Sequence, residues 1–483
     1  MQSLPDLSQL SHAQKDELII ALFGQVQKLM KRIDGMQKAI DDLQGRLSLN
    51  SKNSSKPPSS DGLNKPKPKS LRVGGQRPTG GQKGHPGGTL RQVAKPDTVI
   101  THDVPDQCQA CQQRLGVAYV GEVRQVFDLP TLKYQVTEHR VMQALCRCGH
   151  MHTGQFPSGV NASVQYGPQA LAAMVHLNQH QMVPVARTAA LMADFFGLGV
   201  SDGVVLKACA DAKARLTPTV QAIAQALQTA PVVHADETGL RVGKTLHWMH
   251  VAATDALTWV GVHAKRGQQA FADLGVLPAY RGILIHDGWA PYRALDCTHG
   301  LCNAHHLREL TYVHEQLHQS WAHDMMVLLT HANAQVTQTG LPLTHVQHGH
   351  MRYVFDEILA QADIVNPRAQ AILGRRGRTK QSKAANLAGR LRLHADDVWR
   401  FACDPGVPFT NNLAELAVRM PKVKQKISGC FRTSEGAYVF CVIRSYLATM
   451  QKQGANLYAS LVQTLPIRLA HWHATYSGLA LFG

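Results

Sequence analysis

Acidic residues are scarce in this chain: 33 Asp and Glu stand against 50 Lys and Arg, a formal net charge of +17. An excess of that size argues against a cationic partner and points to a polyanion, nucleic acid before acidic membrane. Long apolar runs are also missing, and none approaches the roughly 18 residues that a membrane helix needs. The opening MQSLPDLSQLSH lacks the positive start and apolar stretch of a secretory signal. These absences lead to the expectation of a soluble, cytosolic protein with no membrane partner. In that compartment the 10 cysteines are expected as metal ligands or core residues rather than disulfides. Internal repeats are absent too, which excludes a solenoid.

What is present is a chain of 483 residues, 44% of them hydrophobic. That is too long for one core and suggests about two to four structural units. Residues 15–49 carry a heptad seam: Ile19, Leu22, Val26, Leu29, Ile33, Met36, Ile40, Leu43 and Leu47, with Lys28, Arg32, Asp34, Lys38, Asp41 and Arg46 between them. Steps of three and four read as a self-associating coiled coil, hence a homodimer or higher oligomer. Residues 50–96 are rich in Ser, Pro, Gly, Lys and Arg, with Asp61 the only acid before Pro96. Such a stretch reads as a disordered basic linker, suited to lie along phosphates.

Further along, 97–160 reads as a small β module with cysteines at both ends. Residues 161–230 read as helical; two helices around Gly197-Leu198-Gly199 suggest a DNA-binding helix-turn-helix or an ordinary helical hairpin. From Pro231 the pattern switches to strands: PVVHADETGLRV, LHWMHVAAT and LTWVGVHA, then a helix, QQAFADLGVL, then a buried strand, RGILIHDGW. The expected fold is therefore multidomain α/β. A ribonuclease H-like core begins at 231–300, is interrupted by a helical insertion at 301–405, and resumes at 406–440 with C-terminal helices at 441–483.

Three acids carry the chemistry of this reading. Asp236 follows an apolar run on the first strand, Asp287 closes the fourth strand, and Glu415 lies on the helix NNLAELAVRM. In a ribonuclease H-like sheet the first and fourth strands are neighbours, so both aspartates would project into one site. Phosphoryl transfer on DNA uses two divalent cations about 4 Å apart, and carboxylate oxygens suit Mg²⁺ or Mn²⁺. Glu237 and Glu435 are rival acids. Strand alternation would send Glu237 to the opposite face from Asp236.

The chain resembles the transposase of the IS66 insertion-sequence family, a DDE-type enzyme. The residues that carry the resemblance are SSKPPSSDG (54–62), GGQKGHPGG (80–88), HADETGLRV (234–242), HDGWAPY (286–292), CNAHHLREL (302–310), NNLAE (411–415) and KQKISGCFRT (424–433). The resemblance, running from the coiled coil to the C-terminal helices, implies a ribonuclease H-like core with Asp236, Asp287 and Glu415 as the catalytic, Mg-binding acids. Leu416 stands where the family usually carries arginine. A zinc module is also implied, which fits the pairs Cys108/Cys111 and Cys146/Cys148; the second pair is C-x-C, so His150 is an alternative to one cysteine. Cys302 and His305 form a C-x-x-H pair. With Cys297, His299 and His306 nearby zinc is a rival reading, but no tetrahedral set has familiar spacing, so the pair is read as core support. Arg419, Lys422, Lys424, Lys426 and Arg432 follow Glu415 and are candidates for DNA phosphates. Expected partners are duplex DNA, both element ends and target, with small accessory proteins of the same element. The function expected is strand cleavage and strand transfer; rival readings are a catalytically inactive, transposase-derived DNA-binding regulator and a plain metal-dependent nuclease.

Overall fold

The computed structural model describes residues 10–50, 53–54, 90–130, 132–369, 379–404 and 406–465. These belong to two compact units, one comprising 1–68, 158–188 and 202–483, the other 69–157 and 189–201. Most of the expected basic linker at 50–96 lies outside the described residues. So do residues 370–378 of the expected helical insertion and the C-terminal segment beyond residue 465.

The first helix, α1 (His12–Leu47), opens with a capping box in which Ser11 and Gln14 satisfy each other's backbone N–H groups. All nine seam residues are exposed, from 43% at Ile40 to 86% at Leu47. Its C-terminal end is held: the Tyr312 hydroxyl donates to the Gly45 carbonyl at 3.3 Å, and Leu49 packs on a helical core.

In the smaller unit only two strands form among the described residues of 97–157, β1 (Gln143–Leu145) and β2 (Met151–Thr153), paired antiparallel. This is less β structure than the sequence suggests. Nearly every side chain there is exposed, so the segment has no apolar interior on which further strands could assemble.

The larger unit continues with α2 (Pro168–Val175); α3 (Val185–Phe196) runs from this unit into the smaller one and ends at Gly197 in the left-handed region, φ 67°. The 27-residue α4 (Asp202–Gln228) buries a continuous stripe, Val205, Ala208, Ala212, Leu216, Val220, Ile223 and Leu227, against the rest of its unit.

Five strands then make one mixed sheet: β3 (Val232–Val242), β4 (Thr245–Ala253), β5 (Thr258–His263), β6 (Ile283–His286) and β7 (Thr298–Leu301), with α5 (Gln268–Leu274) between β5 and β6. Their order is β5-β4-β3-β6-β7, antiparallel on the β5 side and parallel from β3 to β7. The first and fourth strands are therefore adjacent, as a ribonuclease H-like sheet requires. β7 was not foreseen; THGL is four residues long and has no apolar alternation.

Beyond the sheet, α6 (Asn303–Leu317), α7 (Ser320–Thr339), α8 (His345–Val365), α9 (Lys383–Leu393) and α10 (Ala395–Cys403) close around their own core of Leu310, Trp321, Phe355, Leu391 and Trp399. The chain returns as α11 (Asn412–Ser428), α12 (Ser434–Lys452) and α13 (Leu457–Thr464); α12 runs across the boundary expected at residue 440. It also covers the β5 edge. The Val260 N–H donates to Ser445 Oγ at 2.8 Å, and the Thr258 N–H donates to Thr449 Oγ1 at 3.0 Å. An edge strand whose free amides are taken by helix hydroxyls cannot template another chain.

Gly282 sits where β6 starts beside β3, and a Cβ there would lie 2.7 Å from the Ala230 and Pro231 carbonyl oxygens. Gly282→Ala should force the two strands apart and destabilise the sheet by about 1–3 kcal/mol. An unchanged melting temperature in circular dichroism would refute this close packing.

Candidate active site

Both aspartates come from the parallel pair at the centre of the sheet. β3 and β6 pair as Val232 with Ile283, Val233 with Leu284 and His234 with Ile285. Counting on by one strand repeat sets Asp236 level with Asp287, on the same face. The even positions of β3 belong to the face where Leu240 and Val242 pack with Phe431 and Phe440. The odd positions, Val233 and Ala235, pack with Phe271, Leu284 and Tyr292 on the other. Asp287 is fixed by the turn that ends its strand: its Oδ1 accepts from the Trp289 N–H at 2.8 Å, and Gly288 takes φ 88°.

Glu415 arrives on the first turn of α11, where a carboxylate is favoured by the helix dipole. The residue before that helix, Asn411, is 1% exposed and does not cap it. Its side chain reaches β3 instead: Nδ2 donates to the Ala235 carbonyl at 2.8 Å, and Oδ1 lies 2.9 Å from His234 Nδ1. Its backbone N–H donates to Cys302 Sγ at 3.2 Å. Cys302 in turn donates its backbone N–H to the His286 carbonyl at 3.0 Å, one residue before Asp287. Three distant chain segments thus meet at one buried asparagine.

The electrostatics report the same convergence. Asp236 is held well above the ordinary aspartate range, first by burial and then by the charge of Glu237, with Asp287 and Glu415 adding to it. The rival acids are elsewhere. Glu237, its side chain 1% exposed, accepts from Arg266 Nη2 at 2.6 Å and Nε at 2.9 Å, and from the Tyr292 hydroxyl. The Arg266 guanidinium lies between Trp248 and Trp289, 4.6 and 3.9 Å from their ring centroids. Glu435 is largely exposed and pairs with Lys213 at 2.9 Å.

Cys302 is 1% exposed, its thiol pushed up to about 12 mainly by burial. It donates to Glu415 Oε1 at 3.7 Å, and His305 Nδ1 lies 3.9 Å from the same oxygen. The pair therefore does touch the third acid. Cys297, His299 and His306 do not join it: His299 contacts His286, and His306 contacts Asn303. Of the basic run, Arg419, Lys426 and Arg432 are exposed, whereas Lys424 is half-buried beside Cys209 and Lys422 donates to the Gly239 carbonyl at 2.7 Å.

Cys108 and Cys111 share one tight turn, and Cys146 and Cys148 another, closed by the Cys146 N–H on the His150 carbonyl at 2.8 Å. Their donor chemistry fits zinc. Among the described residues, however, no three of Cys108, Cys111, Cys146, Cys148 and His150 are gathered at ligand distance. No step is assigned to them.

Sequence reasoning missed the Glu237–Arg266–Tyr292 network and the junction role of Asn411. Tyr292 and Asn411 lay inside quoted motifs, but Arg266 had no local signal at all.

Residues 163–439 match the Transposase IS66 family, a span that includes all three acids. The chain belongs to that family. Residues 2–91, which the sequence reading placed within the same resemblance, match a separate family of unknown function. No curated protein matches the chain. Family membership supports a transposase-type function with use of divalent metal. Among the described residues no helix is long and apolar enough to cross a membrane.

A raised folded-state carboxyl binds its proton more tightly than the unfolded chain does, so its contribution to stability falls as pH climbs above the ordinary value. In chelator, Asp236→Asn, which keeps the oxygen accepting the Glu237 N–H at 2.8 Å, should raise the melting temperature at neutral pH. The gain should vanish as pH falls toward the ordinary aspartate value of 3.8. A gain independent of pH would show that repulsion among the acids is not its source.

Proposed function

We propose that this chain is a DNA transposase that cuts and joins DNA strands at a site formed by Asp236, Asp287 and Glu415. What supports this reading is the placement of three carboxylates from two adjacent strand ends and a distant helix, with Asp287 and Glu415 both adding to the raised proton affinity of Asp236. The donor set is all carboxylate oxygen, which suits Mg²⁺ or Mn²⁺, and divalent charge would offset the burial and neighbouring negative charge that raise Asp236. Bound there, two such ions would activate the attacking oxygen and neutralise charge at the phosphate.

The protein's own part is positioning. β3 and β6 hold the aspartates by backbone pairing, and Asn411 holds the helix of Glu415 against them. The attacking groups are water and then a DNA 3′ hydroxyl, so no side chain need act as nucleophile. The acids are partly exposed, as a macromolecular substrate demands. A cavity of about 1070 Å³ in the same unit is lined by Val232, Leu257, Pro408 and Tyr446 but by none of the three acids. Arg419, Lys426 and Arg432 are the residues of the basic run left free to meet phosphates. Presence of all three acids favours an enzyme over an inactive DNA-binding regulator.

Self-association through α1 completes the reading: its seam presents nine exposed apolar residues at coiled-coil spacing. Leu29→Asp combined with Ile33→Asp should convert an oligomer to a monomer in sedimentation velocity; a wild-type chain that is already monomeric would end this part of the proposal.

Glu415→Gln should lower strand joining by about 100-fold or more, on the scale of losing one electrostatic partner of a transition state. Binding to element ends, measured by gel shift, should stay at the wild-type level. Joining that survives the substitution would remove Glu415 from the site.

A further inference from the structure

We propose that Cys302, His305 and Glu415 form a binding site for one borderline-soft divalent cation, Zn²⁺ foremost, beside the three-acid site and sharing Glu415 with it. The binding claim stands on its own geometry and does not need the transposase reading.

Sequence spacing offered Cys302 and His305, one helical turn apart, and the nearby Cys297, His299 and His306 do not join them. The fold adds the third. Glu415 comes from a chain position 113 residues away, and its Oε1 lies 3.7 Å from Cys302 Sγ and 3.9 Å from His305 Nδ1. The ligand atoms of all three lie within 4.8 Å of one another, the only such group among the described residues. Zinc bonds of about 2.3 Å to sulfur and 2.0–2.2 Å to nitrogen and oxygen imply tetrahedral edges of about 3.6 Å for S–O and 3.4 Å for N–O. The separations of 3.7 and 3.9 Å to Oε1 exceed those edges by a few tenths of an ångström. The sulfur–nitrogen edge is bounded only by 4.8 Å against about 3.6 Å for zinc, so closing the site takes rotation of the imidazole toward the thiolate.

A second observation concerns His305 itself. Its Nδ1 is buried and has no hydrogen-bond partner, although a buried polar atom left in that state carries a substantial cost. A cation at this position would satisfy it. The thiol is supported as metal-bound sulfurs commonly are, because Cys302 Sγ accepts the Asn411 N–H at 3.2 Å. Cys302 and His305 are also rigidly related, since Cys302 precedes the first turn of α6 and its carbonyl accepts the His305 N–H at 3.1 Å. One thiolate, one imidazole and one carboxylate suit Zn²⁺ far better than Mg²⁺, and a fourth position stays open for water. A cation held here draws on Glu415 Oε1, so soft and hard ions would compete for the third acid.

The test uses the full-length protein, stripped with chelator and titrated with Co²⁺. Sulfur-to-cobalt charge-transfer absorption and metal content by mass spectrometry are read together. Cys108, Cys111, Cys146 and Cys148 contribute equally to every variant, so the difference between variants is decisive. Cys302→Ser should lose one equivalent of metal relative to wild type, and His305→Gln should weaken that equivalent at least ~10-fold. Asp287→Asn, which leaves all three proposed ligands in place, should retain it. Equal metal content and affinity in wild type, Cys302→Ser and His305→Gln would overturn the proposal. So would loss of the same equivalent in Asp287→Asn, because the cation would then sit among the three acids. Should Cys302→Ser fail to fold by circular dichroism, His305→Gln decides alone. Strand joining is not read, so failure of the transposase reading would leave this result unaffected.

Discussion

The candidate site depends on one buried asparagine. Asn411 spends its side chain on β3, at Ala235 and His234, and its backbone amide on the Cys302 sulfur. These contacts join chain positions separated by 176 and 109 residues. Bringing such distant segments together costs loop-closure entropy, though that cost grows only slowly with loop length. The helical insertion between them lowers it further, because α6 to α10 form a packed core of their own. Leu301 and Ile285 of the sheet share that core, so the insertion is anchored beside Asp287. The third acid can thus stand far away in sequence and still be held to the strand pair.

Strand alternation decides which of two consecutive acids joins the cluster. Asp236 faces α11 and is raised first by burial and then by the charge of Glu237, with Asp287 and Glu415 adding to it, whereas Glu237 faces the apolar side, where Arg266 and Tyr292 meet it. A buried carboxylate without a partner would be strongly destabilising, and the guanidinium between Trp248 and Trp289 removes that problem on one face only. Charge is therefore compensated by protein at Glu237 and left uncompensated at Asp236. That asymmetry is what distinguishes a structural acid from one suited to hold divalent cations.

Much of this was legible in the sequence, because β3 to β6 are long or strongly apolar and the backbone period assigns each residue a face. The opposite facing of Glu237 followed from that period, while Asp236 and Asp287 followed from strand order and context together with the family resemblance. β7 was not legible: four residues with a polar start owe their strand state to pairing with β6, a tertiary effect. Arg266 was invisible for a similar reason, since its partners Glu237, Trp248 and Trp289 converge only once β4 is paired with β3 and the chain has turned after β5. The C-x-x-H pair was seen, but its contact with Glu415 crosses 113 residues, a separation no local spacing rule spans. The basic run shows the opposite error. Lys422 and Lys424 look like free surface charge in sequence, yet the first is spent on a β3 carbonyl and the second is half-buried.

The positive charge and the exposed seam of α1 belong to one argument on the proposed reading. A helix of 36 residues is about 54 Å long, and among the described residues its apolar stripe meets no core of its own unit beyond the contacts at its C-terminal end. Apolar area left in water at this scale favours pairing with a like surface, at roughly 25 cal/mol for each Å² covered. Pairing through α1 would place two chains, each with an excess of 17 positive charges, on one stretch of polyanion. Linked binding of that kind raises the effective concentration of the second chain at the DNA without any new contact. A monomer would have only one chain's positive charge with which to hold duplex. The paired form can instead distribute phosphate contacts over two chains while each three-acid site stays open to a strand.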